Sequence, residues 1–255
     1  MIQRANILGA GVSAINMEMA LGWMERTIQA AGRDYVVVCP VSTILACLDS
    51  AMVRRAVNRA GLVTPDGMPV VWLTRAAGHR HVSRVYGPDL MLGFCALSAE
   101  ARYRQYFYGG AEGVPERVAE ALSTRFPGVQ VAGCCSPPFR PLTEGEDDEV
   151  VARINEARPD VVWVGLGSPK QDLWMAEHRE RLSAPLLVGV GAAFDFHAGR
   201  VRQAPRWMMR LGLEWLFRLM REPRRLWRRY LLGNPRFLWH VTLQRTGLRR
   251  YPLEL

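Results

Sequence analysis

Val161-Val162-Trp163-Val164-Gly165 runs straight into Leu166-Gly167-Ser168-Pro169-Lys170-Gln171: a short apolar run, a small-residue turn, then an amphipathic stretch. Apolar residues without polar alternation describe a strand covered on both faces, the habit of parallel sheets. The same order recurs along the chain. Further strands are expected at 35–39, 62–64, 105–108, 129–134 and 186–190. Helices are expected at 14–31, 44–60, 88–100, 113–126, 147–157 and 171–182. The alternation predicts an α/β fold, a Rossmann-like and mostly parallel sheet with helices on both faces. The acidic run 144–149 reads as a solvated helix start, its charges favoured by the helix dipole.

Ligands of such sheets bind at the carboxyl ends of strands, so the turns there carry the chemical information. They are Pro40-Val41-Ser42-Thr43, Pro65-Asp66-Gly67-Met68-Pro69, Gly109-Gly110-Ala111, Ser136-Pro137-Pro138, the turn Gly167–Gln171 and Gly191-Ala192-Ala193-Phe194-Asp195. Small residues before a helix N-terminus admit phosphate to backbone N–H groups, although any α/β fold needs such turns. Gly109, Gly110, Gly167, Pro169, Lys170, Gln171 and Asp195 are the substrate-binding candidates from these turns, with Thr64 beside Asp66. Asp66 reads two ways. At a strand end in apolar surroundings it suits a general base, and in a Pro-Asp-Gly turn it equally suits a helix cap.

Beyond Gly199 the chain changes character. Fourteen arginines face three acids there, and four of the eight tryptophans lie among them. The preceding residues carry slightly more acids than bases, so the net charge of +9 belongs to this segment. Division at this point gives an α/β core of residues 1–199 and a basic, aromatic-rich helical appendage of residues 200–255. Arg218, Arg221, Arg225 and Arg228 fall at helical spacing, and Pro223 is placed to start a new helical segment. Arginines between Leu, Trp, Phe and Met suit an anionic membrane surface. A nucleic-acid grip would favour polar neighbours instead, so no nucleic-acid partner is expected.

Other classes are weighed on the same residues. Gly9-Ala10-Gly11-Val12-Ser13-Ala14 spells a G-x-G-x-x-A and raises an NAD(P)-binding oxidoreductase, but the second strand ends in Cys39-Pro40 rather than in an acid. His197 has no second histidine at ligand spacing, no D-x-D pair ends a strand, and no metal or other cofactor is expected. The five cysteines, adjacent Cys134 and Cys135 included, show neither metal spacing nor an even-numbered framework. No apolar run approaches the roughly 20 residues that span a bilayer. The expected place is the cytoplasm.

The motifs together resemble a known family. Thr64-Pro65-Asp66-Gly67-Met68-Pro69-Val70-Val71-Trp72, the stretch from Val162 to Gln171, and Gly189-Val190-Gly191-Ala192-Ala193-Phe194-Asp195 are similar to the WecG/TagA/CpsF glycosyltransferases. Ile7 to Ser13 and Leu213-Glu214-Trp215-Leu216-Phe217-Arg218-Leu219 match in the same order. The resemblance implies an inverting, metal-independent transfer of an N-acetylhexosamine or related hexose. The donor would be a UDP-sugar and the acceptor a sugar on polyprenyl diphosphate, in bacterial surface-polysaccharide synthesis. It implies Asp66 as base, Arg84 in the pocket, Gln171 at the donor, and Arg218, Arg225 and Arg228 closing over the donor diphosphate. It further implies a peripheral position at the inner face of the cell membrane, and it is compatible with a homo-oligomer. Many members carry an Asn after the second strand where this chain has Val41-Ser42, which leaves the donor sugar open.

Overall fold

The computed structural model describes residues 2–254. The chain opens with a hairpin, β1 (Arg4–Ile7) and β2 (Ala10–Ser13), followed by α1 (Met17–Gln29), β3 (Asp34–Cys39), α2 (Val41–Asp49), α3 (Ala51–Arg59), β4 (Leu62–Pro65) and α4 (Met68–Ala76). Next come α5 (Gly87–Ala101), β5 (Arg104–Gly109), α6 (Val114–Arg125), β6 (Gln130–Cys135), α7 (Glu144–Ala157) and β7 (Val161–Gly165). The remainder is α8 (Lys170–His178), β8 (Leu186–Gly189), α9 (Ala193–His197), α10 (Arg206–Arg210), α11 (Glu214–Arg221) and α12 (Pro223–Trp227). A π-helical turn (Arg228–Leu232) then leads into α13 (Gly233–Arg245).

The main sheet has the order β4-β3-β8-β7-β5-β6, and β3, β8, β7, β5 and β6 run parallel. The expected α/β fold is present. By proximity along the fold the chain forms two compact units. One holds residues 1–16, 39–86 and 203–255; the other holds 17–38 and 87–202.

In the second unit the strand residues alternate between two covered faces. Phe107 and Trp163 are register partners and meet α9 and α5 through Phe194 and Phe94. Tyr108, on the opposite face, stacks on Trp174 of α8. Buried polar groups on these strands are paired, as they must be away from water. Trp163 Nε1 donates to Gln105 Oε1 at 2.7 Å, and Gln105 Nε2 donates to Ser98 Oγ at 3.0 Å. The acidic run does start α7, where Thr143 and Glu146 form a reciprocal capping box.

Two expected elements need correction, and one alternative reading loses its context. The Gly9–Ala14 stretch is not a strand-turn-helix: Gly9 lies in the hairpin turn and Gly11 in β2, paired antiparallel to β1. The dinucleotide fingerprint therefore lacks its structural context, which removes the basis of the oxidoreductase reading. The first helix begins at Met17 because Ala14 still donates its N–H to Gln3 O, leaving the hairpin. The long helix expected over 44–60 is two helices, broken at Ser50, whose side chain accepts from Val53 N and caps the second.

In the first unit the C-terminal residues bind the hairpin. Asn58, buried in α3, donates to Gly9 O and Glu254 O and accepts from Gly11 N. Asn6 Nδ2 donates to Tyr251 O, and Gln244 Oε1 accepts from Leu8 N. Among the described residues no helix is long and apolar enough to cross a membrane.

Candidate active site

Asp66 follows β4 and is pinned by its backbone, its N–H donating to Cys39 O, while Val85 N donates to Pro65 O beside it. The carboxylate does not cap α4. Gly67 holds that position without a side-chain bond, and Asp66 Oδ1 instead accepts from Arg84 Nε at 3.0 Å and Nη2 at 2.9 Å. That decides against the cap reading. Thr64 is buried, and its hydroxyl donates to Val85 O.

Arg84 does not serve Asp66 alone. Its Nη2 also donates to Glu214 Oε2 of α11 at 2.6 Å, and Tyr86 Oη donates to Glu214 Oε1 at 3.3 Å. The guanidinium lies over the Tyr86 ring, 4.1 Å from its centroid. Asp66, Arg84 and Glu214 side chains are 14%, 15% and 15% exposed: reachable from solvent, yet largely withdrawn from it. Burial pushes the Asp66 carboxyl above the ordinary carboxylate range. Arg84 opposes that shift and Glu214 adds to it. The same two carboxylates raise the Arg84 guanidinium, and burial raises the Tyr86 phenol.

The C-terminal arginines divide. Arg218 lies close enough to Tyr86 to act on its ionisation. Arg229, in the π-helical turn, feels Arg218, Arg225 and Asp66 together, and its Nη2 donates to Ser42 Oγ. Single π turns often mark functional segments. Arg225 pairs with Glu222 at 2.5 Å, and Arg228 lies over the Trp227 ring. As expected, Pro223 starts a separate helix. Glu214, Tyr86 and Arg229 were not among the sequence candidates. Glu214 stood in a recognised motif, and its place as one of only three acids in a segment so rich in arginine was the signal that could have singled it out.

The other candidates lie in the second unit. Gly109 has φ 117°, and a Cβ there would come within 2.7 Å of the Gly165 backbone, so the ends of β5 and β7 approach only because glycine is present. Gly110 N–H donates to Gly165 O. Gln171 is buried, its Oε1 accepting from Gly167 N at 3.1 Å and its amide packed against Gly189. It braces the turn after β7. Pro169 and Lys170 are exposed on that turn. Asp172 is buried, accepts from Ser168 Oγ at 2.6 Å, and burial raises its carboxyl to about 7. Asp195 is half-exposed, 3.6 Å from Arg200. His197 is held on Pro88 O.

A carboxylate gripped by an arginine, with Arg229 of the basic segment in its neighbourhood, suits proton removal beside a departing anion. The N-acetylglucosaminyldiphosphoundecaprenol N-acetyl-beta-D-mannosaminyltransferase of Bacillus spizizenii is 32% identical over 72% of this chain and 69% of its own length. The protein of the same name from Bacillus subtilis is 30% identical over 90% of this chain and 78% of its own length. The sequence profile of the Glycosyl transferase WecG/TagA/CpsF family matches residues 5–251. The chain is a glycosyltransferase and belongs to the WecG/TagA/CpsF family.

Proposed function

We propose that this enzyme moves an N-acetylhexosamine or related hexose from a UDP-sugar to a sugar carried on polyprenyl diphosphate, inverting the anomeric centre and using no metal. The reading is carried by Asp66, a withdrawn carboxylate held by Arg84, with Arg229 in its electrostatic neighbourhood and Arg218 sharing Tyr86 with it. Asp66 takes the proton of the acceptor hydroxyl, whose oxygen attacks the sugar's anomeric carbon as the bond to the diphosphate oxygen breaks. One displacement inverts the centre. The leaving diphosphate needs fixed positive charge, which arginines and helix N-termini supply. Arg218, Arg225 and Arg228 are assigned to that diphosphate, and the turn braced by Gln171, with Gly109, Gly110 and Gly167, to the donor. N-acetylmannosamine, named in both Bacillus relatives, is the first donor sugar to test.

The lipid-linked acceptor requires work at a bilayer. Exposed Trp207, Leu211, Met220, Leu231, Leu238 and Trp239 lie among the C-terminal arginines, the mixture an anionic lipid surface accepts. We assign residues 200–255 to docking at the inner face of the cell membrane.

Asp66→Asn keeps the shape and removes the proton acceptor, a role worth about 10²–10⁴ in rate. UDP release should collapse while UDP-sugar affinity changes little. Near-normal turnover in the folded variant would refute the assignment.

A further inference from the structure

We propose that Glu214 is a positioning residue that sets the basicity of Asp66 by holding the second edge of the Arg84 guanidinium, so that the base is tuned only when α11 is seated. This rests on Asp66 being the base. The geometry is specific. Arg84 gives Nε and Nη2 to Asp66 and shares Nη2 with Glu214 at 2.6 Å, while Tyr86 Oη steadies the other oxygen of Glu214. One guanidinium thus stands between two carboxylates, a single positive charge shared by two acids.

The seat of α11 is built as closely. Gly212, just before the helix, has φ 74°, and a Cβ there would stand 3.0 Å from the Trp72 ring and 3.3 Å from Met68 Cβ. Both of those residues belong to α4, the helix that starts two residues after Asp66. A side chain at residue 212 would meet a left-handed backbone and a crowded surface at once. The approach of residue 212 to α4 therefore fixes Glu214 relative to the base.

The charged and titratable groups around Asp66 are Arg84 and Tyr86 from the segment before α5, Glu214 and Arg218 from α11, and Arg229 from the π-helical turn. Of these only Glu214 is a second carboxylate. With its charge present, Asp66 binds a proton more tightly and is the stronger base. With its charge gone, Arg84 turns wholly to Asp66, which becomes the weaker base. The two changes have separate signatures, because a weaker base stays ionised to lower pH but accepts the acceptor's proton less readily.

The test is the pH profile of kcat with a short-chain, soluble lipid-diphosphate-sugar acceptor, which removes any need for membrane docking. In Glu214→Gln the acid limb should move towards acid by about one unit or more, and the plateau should fall. Glu214→Asp, which keeps the charge, should hold the limb near its wild-type position even if the rate drops. Thermal melting checks folding, and if the Gln variant does not fold, Glu214→Ser carries the same comparison. A rate loss equal at every pH, with the limb unmoved, overturns the proposal and leaves Glu214 a structural clip. Asp66→Asn measured alongside separates the failures. Turnover that survives Asp66→Asn defeats the base itself, whereas a silent Asp66→Asn with an unmoved limb in Glu214→Gln defeats only the role of Glu214.

Discussion

Replacing Asp172 by Asn should make the enzyme more stable at pH 8 and leave it little changed near pH 4. The Asp172 carboxyl is buried at the start of α8. Oδ2 accepts from Ser168 Oγ, and Oδ1 has no hydrogen-bond partner among the described residues. Burial raises the group to about 7 from an ordinary 3.8. The folded protein thus keeps this proton up to about neutrality, while the unfolded chain releases it near pH 4. Between those values the folded state binds more protons, so stability falls as pH rises through the window. Across about three pH units the loss is about 4 kcal/mol. The amide of Asp172→Asn cannot ionise. It keeps an acceptor for Ser168 but buries an N–H without a partner, which costs about 1–3 kcal/mol at every pH. The protonated wild-type acid carries a comparable cost at low pH, so the two proteins should be close there. The assay is urea unfolding of both proteins from pH 4 to 8, read as the difference in free energy. That difference should grow with pH in favour of the Asp172→Asn protein, and the other titrating groups cancel. Two parallel curves would show that Asp172 is ionised and solvated in the folded state, refuting the reasoning.

Sugar transfer should persist in excess EDTA, and a complete loss restored by Mg²⁺ or Mn²⁺ would end the metal-independent reading. With a soluble acceptor, Arg225→Glu should reduce the rate far more than Arg249→Glu, because Arg225 acts on Arg229, which in turn feels Asp66, whereas Arg249 packs over the Tyr251 ring. Equal losses would make the arginines membrane footing only. Replacing exposed Trp207 and Trp239 together by Ala should weaken binding to anionic liposomes at least tenfold while leaving the soluble-acceptor rate near normal. Unchanged liposome binding would move the docking surface elsewhere.

The parts legible from sequence were those governed by local pattern. The run Val161–Gly165 is one strand with the bounds its apolar residues suggest, and α7 starts where Thr143 and its acids direct. The hairpin was illegible because β1 and β2 are four residues each and their glycines also suit a nucleotide turn. Asp66 and Arg84 could be named in advance. That Arg84 is shared with Glu214 could not, since the two are 130 positions apart and no local rule joins them. The packing of Gln171 against Gly189 was hidden for the same reason.

The ties between the hairpin and the residues after α13 also set a schedule. Asn6 waits for Tyr251, 245 positions later, and Arg84 waits for Glu214. At about 5–20 residues per second, synthesis of the intervening chain takes on the order of tens of seconds. Closing so long a loop carries an entropic cost that only late contacts offset. Residues 17–38 and 87–202 form one compact unit that is complete by residue 202 and can settle while the rest is still being made. A nascent chain therefore carries Asp66 and Arg84 long before Glu214 exists, and on the proposed mechanism transfer activity should switch on only after residues 203–254 have folded back.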